Sequence, residues 1–351
     1  MSLPITRRYL AVAGTAVAVV ALVAGMTWFF TRPAHAADAR PVKAVQKGWP
    51  QDNSDVKPDS AVTWGRLPNG VRYAVMKHAE PPTRVTLRLY VNAGSLMEEE
   101  DQRGLAHFLE HMAFNGTTHH PANEMVEYFQ RLGMGFGNDT NAHTSWNETV
   151  YKLELPNTQD AMMDSGMLML RDIADGMLLQ KKEIEDERGV ILAEKRDRDT
   201  VNYRMFVDSL KFSLPDSRIA TRFTIGDEGV ISKAKRDLFL DFYKKWYTPD
   251  RMVVIVVGDI DPARAATYVG KYFSDMKPRE SQPDPDMGAI KPRGVVAKVL
   301  REAEAPSVEI SIANIRQLPL APDTAAERGR ALTRDVANAI IQRRLQKLAK
   351  Q

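Results

Sequence analysis

Residues 105–112 read Leu-Ala-His-Phe-Leu-Glu-His-Met, and this short run governs the interpretation of the whole chain. His107 and His111 are four residues apart, so on a helix their side chains project from one face, close enough to bind one metal ion. Glu110 lies on the same side, where a carboxylate could take a proton from an attacking water. His-x-x-Glu-His is a catalytic zinc motif with the reverse order of the commoner His-Glu-x-x-His. The run therefore predicts a zinc hydrolase.

The apolar residues of this run predict a helix packed on a core. Four of them recur at amphipathic spacing: Leu105, Phe108, Leu109 and Met112. The alternative is an ordinary helix that carries two structural histidines and a solvated glutamate. A third ligand would decide between the two, because catalytic zinc usually has three protein ligands and one open position.

A second, polar helix predicted between residues 181 and 199 carries candidates for that ligand. Glu187 and Glu194 are seven residues apart, so they share a helical face with an offset of about 20°. Glutamate is common on solvated helices, and Glu183 and Glu185 lie nearby. Spacing alone therefore leaves the choice of ligand open.

Residues 104–117 and 187–194 resemble the two signatures of the pitrilysin/insulinase family of zinc metallopeptidases, the inverzincins. The resemblance implies that Glu194, the second of the two glutamates, completes a site for one Zn²⁺ per chain with His107 and His111. It implies that Glu187 is an auxiliary catalytic acid near the metal. Glu110 would then be the general base.

Further similarity to the family extends over about residues 60–275. Residues 141–145, Asn-Ala-His-Thr-Ser, resemble the edge strand on which family members hold an extended substrate. The resemblance implies substrate-binding roles for Asn141, Ala142, Thr144 and Ser145. An edge strand binds a peptide through main-chain hydrogen bonds, so the expected substrate is a peptide or a small protein.

The periodicity of the sequence predicts an α+β fold. Strands are predicted at 61–67, 71–78, 84–92, 138–144, 149–155 and 252–257, and helices at 123–132, 159–199 and 234–246. Strands mixed with helices favour helices on one face of a sheet, and the resemblance implies a mixed, largely antiparallel one. Beyond a proline-rich segment, a further strand is predicted at 308–312 and a helix at 324–350.

The N-terminus predicts export. Arg7 and Arg8 precede an apolar stretch at 9–30, and Ala34 and Ala36 form a cleavage pattern, so 1–36 is interpreted as a signal peptide. The apolar stretch is also long enough to span a bilayer, so an uncleaved membrane anchor is the alternative. The expected location is a bacterial periplasm, either free or anchored in the inner membrane and facing the periplasm.

The rest of the chain is divided by composition. We expect a flexible tether at 37–60, a catalytic domain at 61–276, a linker at 277–293, and the incomplete start of a second homologous domain at 294–351. The resemblance implies that the substrate is held partly by a further half, which would be a missing C-terminal half or a partner subunit.

Composition excludes several classes of protein. The net charge of +3 gives no argument for nucleic acid, and the absence of cysteine excludes disulfides and thiolate ligands. The prediction is a zinc-dependent endopeptidase acting on peptides or small proteins outside the cytoplasm. The alternative is a non-catalytic scaffold or subunit of a peptidase complex.

Overall fold

The computed structural model covers two compact units, Pro58–Gly288 and a smaller one made of 48–57 with 289–350. The predicted signal peptide or anchor at 1–36 lies outside the described residues, as does the tether up to residue 47. Among the residues described, no helix has both the length and the apolar character needed to cross a bilayer. The described residues are 48–122, 124–131, 134–135, 137, 140–317 and 321–350.

One mixed sheet organises the larger unit. Its strands are β1 (Val62–Arg66), β2 (Arg72–Lys77), β3 (Val85–Val91), β4 (Thr140–Thr144), β5 (Thr149–Leu155) and β6 (Met252–Gly258). Their order in the sheet is β1-β2-β6-β3-β5-β4. The pair β2–β6 is parallel and the other neighbouring pairs are antiparallel, so the predicted mixed, largely antiparallel sheet is confirmed.

Period-two alternation buries one face of this sheet. Val85, Leu87, Leu89 and Val91 of β3 are buried, whereas Arg88 between them is exposed. Antiparallel pairing brings Leu153 of β5 opposite Leu87, which extends the apolar face across the sheet. The helices pack on this face, as the α+β prediction requires.

The helices follow the predicted pattern in part. They are α1 (Leu105–Met112), α2 (Glu124–Arg131), α3 (Asp160–Asp175), α4 (Lys181–Arg198), α5 (Val201–Ser213), α6 (Glu228–Ile231), α7 (Arg236–Trp246), α8 (Pro262–Phe273) and α9 (Ala325–Leu348). Three of them, α5, α6 and α8, were not predicted. In α3, Gly166 lies so close to the sheet that a Cβ there would be 2.8 Å from Leu87 Cδ1.

The smaller unit contains one correct and one wrong prediction. The helix predicted at 324–350 is α9, whose first turn is capped by Thr324. The strand predicted at 308–312 is not formed, and Val308, Ile310 and Ile312 are exposed. Alternation produces a strand only where a neighbour accepts its hydrogen bonds, and no described strand pairs with this segment.

Candidate metal centre and active site

Helix α1 carries the predicted motif inside the protein rather than on its surface. Leu105, Phe108 and Leu109 have no exposed surface, and His107 and Glu110 are only 5% and 8% exposed. The helix begins after Gly104, whose φ of 105° is a left-handed conformation that favours glycine. A buried helix of this kind holds its polar side chains in fixed directions.

The N-terminus of α1 is anchored by a buried carboxyl group. Glu98 has no exposed surface, and its Oε1 accepts a hydrogen bond of 2.9 Å from the backbone N–H of Ala106. Burial raises the pKa of Glu98 to about 8, although that backbone hydrogen bond favours the ionised form. This contact fixes the first turn of α1, directly before His107.

The three predicted ligands converge. Glu194 Oε2 lies 3.5 Å from His107 Nε2 and 3.6 Å from His111 Nε2. One ligand atom from each of the three residues lies within 4.8 Å of the others. Two ligand atoms that are each about 2.0–2.1 Å from a tetrahedral zinc are separated by about 3.4 Å. The donor set and its spacing therefore fit zinc, with His107, His111 and Glu194 as the residues that would hold it.

Glu187, the predicted auxiliary acid, contacts the imidazole of His111 at Nδ1, on the side away from Glu194. Its Oε1 lies 2.8 Å from His111 Nδ1, and its Oε2 accepts a hydrogen bond of 2.8 Å from the Asn115 amide. The contact assigns the proton of His111 to Nδ1, so Nε2 presents its lone pair towards Glu194. Such a carboxylate–histidine pair orients a metal ligand and increases its basicity.

Arg198, a residue that the sequence analysis did not single out, holds the third ligand. Its guanidinium lies 2.5 Å from Glu194 Oε1, the oxygen that does not face the histidines. The ion pair directs Oε2 towards the ligand cluster. The signal was present in the sequence, because an acid followed four residues later by a base pairs on a helix.

The surroundings of the two histidines shift their pKa values in opposite directions. Desolvation, with smaller contributions from His111 and Arg198, lowers the pKa of His107 to about 3, so this imidazole is neutral and able to bind a metal. Burial also lowers the pKa of His111, but the hydrogen bond to Glu187 and the nearby carboxylates outweigh it, and the net shift is upward. A metal ion bound at Nε2 of His111 would compete with a proton for that nitrogen.

Glu110, the predicted general base, projects from α1 towards β4. Burial raises the pKa of its carboxyl group, and a hydrogen bond of 2.5 Å from the Thr144 hydroxyl to Oε2 partly opposes the rise. A raised carboxyl pKa lies closer to neutral pH, where a general base is most effective. The structure thus brings the buried carboxylate of Glu110 on α1 close to a ligand cluster that α1 and α4 share.

The strand β4 lies at an edge of the sheet, as predicted for substrate binding. The N–H of Ser145 donates to Glu148 O at 2.8 Å within the β4–β5 hairpin, so the main-chain groups of Ser145 face β5. In an antiparallel pair every second residue has this orientation, so the main-chain groups of His143 and Asn141 also face β5. By the same alternation, the main-chain groups of Ala142 and Thr144 face the free edge. Of the four predicted substrate-binding residues, Thr144 directs both its main-chain N–H and C=O there, whereas the N–H of Ala142 already donates to Asn141 Oδ1 at 2.8 Å.

A second group of histidines lies apart from the ligand cluster. His119 and His120 approach Asp172 of α3, with His119 Nδ1 at 2.7 Å from Oδ1. Asp172 also accepts hydrogen bonds from the Thr117 hydroxyl at 2.7 Å and from the backbone N–H of His119 at 2.9 Å. These bonds outweigh burial and lower the pKa of Asp172 to about 2. The cluster ties the loop after α1 to α3.

Two segments of the chain match models of one protein family. Residues 73–211 match the Insulinase (Peptidase family M16) description, and residues 233–315 match the Peptidase M16 inactive domain. The fold and its His-x-x-Glu-His helix are thus similar to those of a class of metallopeptidases. More particularly, the chain carries domains of the insulinase family, peptidase family M16, as the two signatures predicted.

Individual relatives match only part of their length. The "Probable zinc protease PqqL" of Haemophilus influenzae is 36% identical over 226 residues, which are 64% of this chain and 24% of that protein. The protein of the same name from Escherichia coli is 38% identical over 218 residues, or 62% of this chain and 23% of that protein. This chain therefore spans about a quarter of the length of these two relatives.

A solved structure has a similar fold over about two thirds of this chain. The first half of the periplasmic protease PqqL from Escherichia coli is similar with a TM-score of 0.65 and 35% identity, over 67% of this chain and 50% of that one.

Proposed function

We propose that this chain is the catalytic part of a zinc-dependent endopeptidase that hydrolyses peptides or small proteins. The observation that carries the proposal is the convergence of His107, His111 and Glu194 beside the buried carboxylate of Glu110. The names of two relatives, each printed as "Probable zinc protease PqqL", support the same reaction.

Each residue has a distinct role in the proposed reaction. When bound, zinc would polarise the scissile carbonyl and lower the pKa of a water to about 7. Glu110 accepts the proton of the attacking water and passes it to the leaving amine. Glu187 keeps His111 in the tautomer that presents Nε2, and Arg198 directs Glu194 Oε2 into the cluster.

The substrate is expected to add a strand at the free edge of β4. The outward N–H and C=O of Thr144 and the C=O of Ala142 would pair with an extended peptide, which binds without strong sequence preference. Because Thr144 also contacts Glu110, the paired peptide bond lies near the base. A peptide is therefore favoured over other substrates of zinc hydrolases.

The proposed location is outside the cytoplasm, in a bacterial periplasm. The support is the basic and apolar pattern of residues 1–36, together with the description of the similar Escherichia coli structure as a periplasmic protease. Either a cleaved signal peptide or an anchor at 9–30 agrees with this location. The greater length of the relatives makes a further domain or a partner subunit the expected source of additional substrate contacts.

The decisive experiment compares zinc content with hydrolysis. Purified residues 37–351 should hold about one zinc per chain, and His107→Ala with His111→Ala should abolish binding. Glu110→Gln should keep the zinc and lose hydrolysis of a quenched peptide library, because an amide cannot act as the base. The matched control is Glu185→Gln, which removes an exposed carboxylate on α4 that pairs with Arg188.

Three results would contradict the proposal. Full zinc occupancy in the double histidine variant would refute the ligands, and hydrolysis that survives Glu110→Gln would refute the mechanism. The assay should use both this segment and the longest available polypeptide with the further domains. Zinc-loaded protein that is inactive at every length would favour the scaffold function.

A further inference from the structure

Thr144 takes part in two different sets of contacts. Its hydroxyl donates a hydrogen bond of 2.5 Å to Glu110 Oε2, on the side of the sheet where α1 packs. Its main-chain N–H and C=O face the free edge of β4, because the alternation set by Ser145 directs them away from β5. One residue thus contacts both the proposed base and the proposed place of the substrate backbone.

The hydroxyl contact restricts a side chain that otherwise has several rotamers. Glu110 is almost fully buried, so its carboxylate has little water to hold it in place. A bond to Oε2 fixes the plane of the carboxylate and leaves Oε1 as the oxygen that can accept a proton. A threonine hydroxyl suits this role because it is short and stiff at χ1.

We propose that Thr144 is a positioning residue for the reaction, which rests on the proposed function of Glu110 as the base. Its hydroxyl orients the carboxylate, while its main chain sets the register of the substrate strand. Pairing of the substrate with β4 fixes the backbone at Thr144 and therefore the position of the hydroxyl. Correct alignment of the peptide and correct alignment of the base are consequently coupled through one residue.

The test is a set of three variants in the longest polypeptide that hydrolyses peptides. Thr144→Val removes the hydroxyl, keeps the shape and the main chain, and should lower kcat by about 10-fold to 100-fold, the usual loss for an orienting partner. The KM should change by less than about twofold, because substrate pairing uses the main chain. Thr144→Ser restores a hydroxyl and should recover most of kcat.

Thr140→Val is the matched control. Thr140 lies four residues earlier on β4 with its side chain on the same face, and its buried Oγ1 has no hydrogen-bond partner within the described residues. The same substitution there should leave kcat, zinc content and the melting temperature unchanged. Both valine variants should hold the same amount of zinc as the wild type.

The outcomes separate this proposal from the proposed function. Wild-type kcat in Thr144→Val, while Glu110→Gln is inactive, would overturn the role of Thr144 and leave the base intact. An equal loss in Thr144→Ser and Thr144→Val, or loss of zinc from Thr144→Val, would also overturn it. Hydrolysis that survives Glu110→Gln would instead refute the proposed function itself.

Discussion

Glu187 and Glu194 should respond very differently to the same substitution. Glu194 Oε2 approaches the Nε2 atoms of both histidines, at 3.5 and 3.6 Å, whereas Glu187 contacts His111 at Nδ1. The first is placed as a ligand and the second as a partner of a ligand. We expect Glu194→Gln to lose zinc and Glu187→Gln to retain it with weaker affinity.

The size of each effect follows from these contacts. In Glu187→Gln an amide oxygen can still accept the Nδ1 proton of His111, but the charge is lost. Removing such a partner weakens zinc binding about 10-fold to 100-fold, or about 1.4–2.8 kcal/mol. Glu194→Gln removes the anionic ligand itself and leaves Arg198 unpaired beside the cation, so we expect a loss of more than about 100-fold.

The assay is a competition titration of the metal-free chain against a chromophoric zinc chelator at constant pH. Glu185→Gln serves as the control, because it is the same substitution on α4 at an exposed carboxylate. Its zinc affinity should equal that of the wild type. A greater loss in Glu187→Gln than in Glu194→Gln would show that the two carboxylates have the opposite roles, and equal losses would refute the distinction between them.

Three further predictions concern stability. Asp172→Asn should lower the free energy of unfolding by about 1.5–3 kcal/mol at neutral pH, since charged hydrogen bonds to loop 117–119 are lost. Because the pKa of Asp172 falls from 3.8 to about 2 on folding, the wild type should lose this advantage as the pH falls through that range, which urea titrations would reveal. Burial raises the pKa of Glu98 from 4.5 to about 8, so the folded state binds the extra proton and wild-type stability should decrease as the pH rises through that window. Glu98→Gln should lack this decrease in thermal melts at about pH 6 and about pH 9, and an unchanged profile would contradict the assignment. Gly104→Ala should cost about 2 kcal/mol, measured by denaturant titration, because φ is 105° and the new Cβ would lie 2.9 Å from Gly226 Cα; a wild-type midpoint would contradict this.

Local spacing predicted the elements that local interactions determine. The helix α1 and the shared face of Glu187 and Glu194 depend only on helical geometry, and both are present in the structure. The strands β1, β2 and β3 followed from alternation, and β6 from a continuous apolar run. The strand at 308–312 was wrong because alternation in sequence does not supply a neighbouring strand.

Contacts between distant elements could not be predicted in this way. Thr144 was interpreted as a substrate contact from its strand, and the bond to Glu110 depends on how β4 lies against α1. The amide of Asn115 meets Glu187 only because α1 and α4 pack together. Arg198 is the exception, since its pairing with Glu194 lies within one helix and was readable from the sequence.

The position of β6 in the sheet has a consequence for how the protein is made. This strand hydrogen-bonds to β2 on one side and β3 on the other, although most of the larger unit separates it from both in sequence. Until it has been synthesised, β1–β2 and β3–β5–β4 remain two partial sheets with unpaired apolar edges, which is a slow and aggregation-prone stage of folding. The core that the strands and helices share is complete only when β6 joins the two parts. Metal uptake is therefore expected to be a late event in the maturation of the chain, after the sheet has closed.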